Sequence, residues 1–290
     1  GRSEKEGLSS NYIISVTEDK SRNIWLTTNG NGVMKLSRNS FTYLTQFENI
    51  GQGNITSISE DRKGNIWFGV FGAGLMKFDG ASFTLITENK GLRDVFIRSV
   101  LADKSGNIWF TDNNLGLQKY NGDSFILFND TESPVNYIGS MHEDKAGNIW
   151  LAAGDYRLKK FDGKSFTWFP EITGGSEVIM SVLQDNKENI WYGSLGLFKY
   201  DGKSITQYNI NEGLSDMLIY SLYTDEPGNI WIGTLEHGVN KFNEDSFTYF
   251  TEKEGLSNNH VKSIIGDNRG NIWIGTLKGL SLLSPLADGN

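Results

Sequence analysis

The tripeptide Asn-Ile-Trp occurs seven times in this chain, and that recurrence limits what the chain can fold into. The seven tryptophans, Trp25, Trp67, Trp109, Trp150, Trp191, Trp231 and Trp273, stand 40 to 42 residues apart. Two residues before each is an asparagine, and six before each an aspartate: Asp19, Asp61, Asp103, Asp144, Asp185, Asp225 and Asp267. A unit of about 40 residues filled by short strands is the size of a propeller blade. Seven units predict an all-β fold, a seven-bladed β-propeller of four-stranded antiparallel blades. They account for nearly all of the 290 residues, which implies a single domain over residues 1–290.

Each part of the repeat has a physical reason. Asp-x-x-Gly-Asn between two apolar runs is a tight hairpin turn, with the aspartate accepting a backbone N–H and glycine supplying the positive φ. Arg22 and Glu188 stand where the other turns have that residue or its equivalent, so Asn23 and Asn189 are expected to take the left-handed position instead. The tryptophan is too large and too regular for a surface residue and is expected to wedge between neighbouring blades. A second turn, Asp79-Gly80 and its copies Asp162-Gly163 and Asp201-Gly202, separates the third and fourth strands. A serine recurs four residues before each aspartate, from Ser15 to Ser263, and suits a crowded innermost strand. The last repeat stops after its third strand, while Ser3–Asn11 echoes Thr251–Asn259. The N-terminal residues are therefore expected to lie against the last blade and close it, short and imperfectly.

Composition narrows the partners. A net charge of −8 disfavours nucleic acid and anionic membrane surfaces. No apolar run reaches the roughly 20 residues needed to span a bilayer, so no direct membrane insertion is expected. With no cysteine, disulfides and thiolate metal sites are excluded. Phosphate-binding glycine loops, the Gly-x-Ser-x-Gly elbow and His-Glu-x-x-His are all missing, and neither a cofactor nor a metal is expected.

The meander separates packing from individuality. Turns one-to-two and three-to-four share one rim and are nearly identical in every repeat. The two-to-three and blade-to-blade connections share the other rim, and there the repeats differ. The candidate ligand-binding residues on that variable rim are Tyr12, Phe71, Phe96, Arg98, Tyr137, Asp155, Tyr156, Glu177, Tyr220, His237, His260 and Lys278. Aromatics, an arginine and acids around a central opening suit a polar ligand with an apolar face, such as a small molecule or an oligosaccharide. His237 and His260 fall on neighbouring blades and, with Glu236, form an alternative acid–base set for a lyase or hydrolase. A flat rim that binds a protein partner is a third reading. His142, at the far end of its strand, is unrelated to these.

The residues Ser57–Gly69, reading Ser-Ile-Ser-Glu-Asp-Arg-Lys-Gly-Asn-Ile-Trp-Phe-Gly, and Gly74–Gly80, reading Gly-Leu-Met-Lys-Phe-Asp-Gly, resemble the two-component regulator propeller repeat. The resemblance covers essentially the whole chain. It implies a sensor propeller of bacterial hybrid two-component systems, periplasmic or extracellular, often associated with glycan sensing. It leaves open a fragment of such a sensor or a freestanding secreted or lipid-anchored propeller. It offers no catalytic residue to carry over. A related propeller class includes an antibiotic-linearising lyase, which keeps the enzymatic alternative in play.

Overall fold

The computed structural model describes residues 2–4, 7–37, 40–44, 54–87, 92, 95–113, 115–128, 138–153, 157–169 and 178–284. They form seven antiparallel sheets, each a plain meander. The second blade is representative, with strands Ile55–Glu60, Ile66–Val70, Gly74–Phe78 and Phe83–Ile86. Six sheets have four strands and the last has three, Val261–Gly266, Ile272–Thr276 and Gly279–Leu283. The first strand of every blade contacts the first strands of both neighbours, and Val261–Gly266 contacts Ile13–Glu18. That contact closes the ring and puts the first strands innermost. The fold is the seven-bladed propeller expected.

Each tryptophan sits in the apolar cluster of the following blade. Trp25 packs with Ile55, Ile66 and Phe68, Trp67 with Ile97 and Ile108, and so on to Trp273, which packs with Ile13, Ile24 and Leu36 of the first blade. The six tryptophans from Trp25 to Trp231 also face a lysine directly across the sheet, as Trp67 faces Lys77. Those ammonium groups lie 5.2–5.8 Å from the indole centroids. The indole also has a polar role that the spacing alone does not reveal. Trp67 Nε1 donates to Asp61 Oδ2 at 2.9 Å, and the Asn65 amide donates to the same oxygen at 2.7 Å. Backbone N–H groups of Lys63 and Asn65 donate to Oδ1. All seven repeats form the Asp–Asn–Trp clasp. The triplet is kept together because one carboxylate ties the turn to the wedge.

The expectation about the irregular turns is corrected. Arg22 and Glu188 themselves take the positive φ, at 67° and 71°, while Asn23 and Asn189 stay outside it. The asparagine cannot move there, because its amide and backbone N–H are both committed to the aspartate. Glu244 does the same at 77° in the second turn of the sixth blade.

At the open edge of the seventh blade, Arg2 and Leu280 exchange both backbone hydrogen bonds, at 2.6 and 2.9 Å. Leu8 is buried in the same cluster as Trp273 and Leu280. The two ends of the described chain are thereby joined through one blade.

Candidate functional site

The rim of repeated turns is committed to blade-to-blade bonding. Lys20 donates its backbone N–H to Glu60 and its ammonium to the Asp61 carbonyl of the next blade. Lys104 does the same with Glu143 and Asp144, and Asn268 reaches back to Glu18. Clefts of about 670 and 800 Å³ nonetheless open between blades on this side, one lined by Asp61, Trp67 and Tyr120 and the other by Tyr223, Trp231 and Asn268.

The opposite rim is assembled differently. Its two-to-three connections bond to the lead-in of their own first strand, as Phe71 N–H to Asn54 and Leu277 N–H to His260. They also bond to the next blade's lead-in, as Gly72 N–H to Val95 and Gly238 N–H to Asn259. Backbone holds this rim together, so its side chains are free to differ. The first strands begin here with a fixed pattern. Ile13, Ile55, Ile97, Ile138, Ile179, Ile219 and Val261 are no more than 2% exposed, and two residues later stands the repeating serine. Between them sits one residue that is different in every blade: Ile14, Thr56, Arg98, Gly139, Met180, Tyr220 and Lys262. In blades one, two, six and seven it is the extra residue of a β-bulge. A bulge re-aims a side chain away from the pleat. These seven residues ring the mouth of the axis as an inner tier. Just outside it lies a second tier that includes Tyr12, Asn54, Phe96, Val178, Leu218 and His260.

Of the expected site residues, Arg98, Tyr220, Tyr12, Phe96 and His260 fall in the two tiers. Phe71 joins them from the adjacent loop. Phe71 and Phe96 form a β-bridge and an edge-to-face ring pair at 5.0 Å. The Arg98 guanidinium lies 6.0 Å from the Phe71 ring and donates to Asn113. This makes one apolar, cationic corner across blades two and three. A second corner spans blades six and seven. The His260 ring lies 5.5 Å from the Tyr220 ring. The Lys262 ammonium sits 3.7 Å from the Tyr220 ring centre.

Among the described residues no hydrogen bond joins His237, Glu236 and His260, the alternative acid–base set, although Glu236 acts electrostatically on His260. His237 Nδ1 lies 3.1 Å from Asp216 Oδ2, which also accepts the Glu236 N–H. Burial alone would raise the Asp216 pKa, but donors from Leu218, His237 and Glu236 outweigh it and hold it down. His260 instead turns to Tyr220. Burial pushes its imidazole pKa down, aided by Lys262 and opposed by Glu236. Lys278 is an exposed loop residue. Tyr137, Asp155, Tyr156 and Glu177 lie outside the described residues. Among the described residues no group of three His, Asp or Glu is placed to hold a metal, and no helix is long and apolar enough to cross a membrane.

Of the inner tier, Ile14, Thr56, Gly139, Met180 and Lys262 are not among the candidate ligand-binding residues expected from the sequence. The signal was present: one variable position between a repeating isoleucine and a repeating serine.

Four stretches, residues 7–30, 49–72, 213–236 and 255–278, match the family profile described as two component regulator propeller. No curated protein matches the chain in sequence. Among solved structures it resembles the extracellular domain assigned to a hybrid two component system of B. thetaiotaomicron, with a TM-score of 0.82 and 21% identity over 97% of this chain and 41% of that one. It also resembles a catalytically inactive virginiamycin B lyase from Staphylococcus aureus with quinupristin, at TM-score 0.81 and 11% identity over 97% of both chains. A third is PorZ, a surface component of the type-IX secretion system of Porphyromonas gingivalis, at 0.78 and 16% over 96% of this chain and 47% of that one. The chain thus spans less than half the length of the first and third. At these identities the likeness is one of fold.

Proposed function

We propose that this chain, whose repeats are those of the two component regulator propeller family, is a non-catalytic sensing module. It binds a polar ligand with an apolar face, of oligosaccharide kind, at the variable mouth of the axis. The observation that carries this reading is the inner tier, seven different residues, six of them with side chains, held between two nearly invariant positions on a rigid ring. A scaffold that fixes the flanking positions and varies these residues is built to present them. Placement outside the cytoplasm, in the periplasm or at the cell surface, is part of the same proposal and draws on the extracellular domain it resembles.

The test is a glycan array followed by calorimetry on the hits. Arg98→Ala and Tyr220→Ala should each weaken binding by about tenfold while leaving the melting temperature within a few degrees. A chain that binds no glycan, or binds one equally well in both variants, is not a sensor of this kind.

One observation favours a second, enzymatic reading. His260 Nε2 is shut off from solvent with no hydrogen-bond partner, which suits a group waiting for a substrate proton. On that reading His260→Ala abolishes turnover of a bound ligand and leaves its affinity intact.

A further inference from the structure

We infer that Lys262 and His260 form an anion subsite on the variable mouth, taking a carboxylate or sulfate group of the ligand, with Tyr220 as its apolar wall. The inference rests on the sensing reading above and names the chemistry of its ligand.

Three observations converge on this corner. First, Lys262 is half-buried, and its ammonium is bonded to no carboxylate and no carbonyl among the described residues. Its one described contact is the face of Tyr220, 3.7 Å away. An ammonium carries three donors, and buried ones are ordinarily paired. Second, His260 Nε2 is buried without a partner, and its ring lies 5.5 Å from the same tyrosine ring. Its imidazole is held toward the neutral form, so the N–H can sit on Nε2 and donate. A buried unmet donor and a half-buried ammonium beside one aromatic ring suit an acceptor with several lone pairs next to an apolar surface. A sugar ring bearing a carboxylate or a sulfate ester has both. Burial lowers the Lys262 pKa, and no neighbouring charge contributes to that shift. A bound anion supplies the missing counter-charge.

Third, the charge pattern of the mouth has the right sign. The chain carries a net charge of −8, yet the inner tier holds no carboxylate and two cations, Arg98 and Lys262. The described outer tier holds none either. Acids gather at the other end of the same strands, where Glu18, Glu60 and Glu143 precede three of the seven clasp aspartates. Glu236 acts on His260 from its loop and leaves Lys262 untouched.

The experiment compares four probes on the intact chain by calorimetry and thermal shift: an oligogalacturonate, a sulfated disaccharide, maltotriose and inorganic sulfate. Lys262→Met keeps the length and removes the charge, and Lys262→Arg restores it. Binding of at least one anionic probe should weaken by about tenfold or more in Lys262→Met and recover in Lys262→Arg. Maltotriose should not respond to either change. A response confined to the oligogalacturonate identifies a carboxylate, and one confined to the sulfated probes a sulfate. Lys262→Met should melt no lower than the parent, since it deletes a desolvated charge with no partner, so loss of binding is not loss of fold. If maltotriose binds and no anion binding depends on Lys262, the subsite is wrong while the sensing reading stands. If none of the probes and no arrayed glycan binds, both fall.

Discussion

Three or four donors converge on each clasp carboxylate, and the energetics of the repeat follow from that one atom group. In Asp61 they are the N–H groups of Lys63 and Asn65, the Asn65 amide and the Trp67 indole. Asp61→Ala strands the indole and the amide in a buried place, and should cost about 2–3 kcal/mol by denaturant titration. Trp67→Ala opens a cavity between two blades and should cost about 3–5 kcal/mol. The clasps also set a pH dependence. Burial would raise the pKa values of Asp61, Asp103, Asp144 and Asp267, but the donated hydrogen bonds prevail and hold them below the ordinary carboxylate range. A depressed folded pKa gives stability that is complete above the unfolded value of about 4 and lost as the pH falls through the folded values. His142 adds an earlier loss. Burial, helped by Lys104, pushes its pKa down to about 4, so the unfolded chain takes up its proton first and stability declines between about pH 6.5 and 4. Glu18 and Glu60, raised by burial, run the other way and offset part of this. Melting temperatures across pH 7 to 3 should fall in two stages, and His142→Gln should flatten the first.

Strands and turns carry the second level of constraint. Arg22 and Glu188 hold a left-handed backbone at 67° and 71°, which costs an L-residue about 1–2 kcal/mol. Part of that strain is released by glycine and part is offset by the greater freedom of the unfolded chain. Glu188→Gly should therefore raise stability by about 0.5–1 kcal/mol, read from the shift in denaturant midpoint. The opposite sign is expected at Gly238, where φ is 77° and an added Cβ would lie 2.2 Å from the Phe250 carbonyl oxygen. Gly238→Ala should destabilise by more than about 2 kcal/mol. These turns show how far a local pattern can be trusted. The hairpins were legible because Asp, Gly and Asn report their own dihedrals. The residue that absorbs the strain in an irregular copy was not, since hydrogen bonds to the aspartate four residues before it fix the asparagine. Sequence spacing does not register such a bond.

The whole ring depends on a joint between its ends. Leu8 shares a cluster with Trp273 and Leu280, and Arg2 pairs with Leu280. Leu8→Ala should cost about 2–4 kcal/mol, and hydrogen exchange should localise the loosening to the first and last blades. Read alone, the sequence determined the number of blades, their strand order, the two turn types, the tryptophan wedge and which rim carries the differences. All of these rest on short-range periodicity, and a repeat states its periodicity seven times. Only the tertiary structure decided which variable residues meet. His237 went to Asp216 while His260 went to Tyr220 and Lys262, and Arg98 joined Phe71 across a blade boundary. Such meetings join His237 to Asp216 over 21 positions, Arg98 to Phe71 over 27 and Tyr220 to His260 over 40, and the closed ring of blades sets their distance and direction.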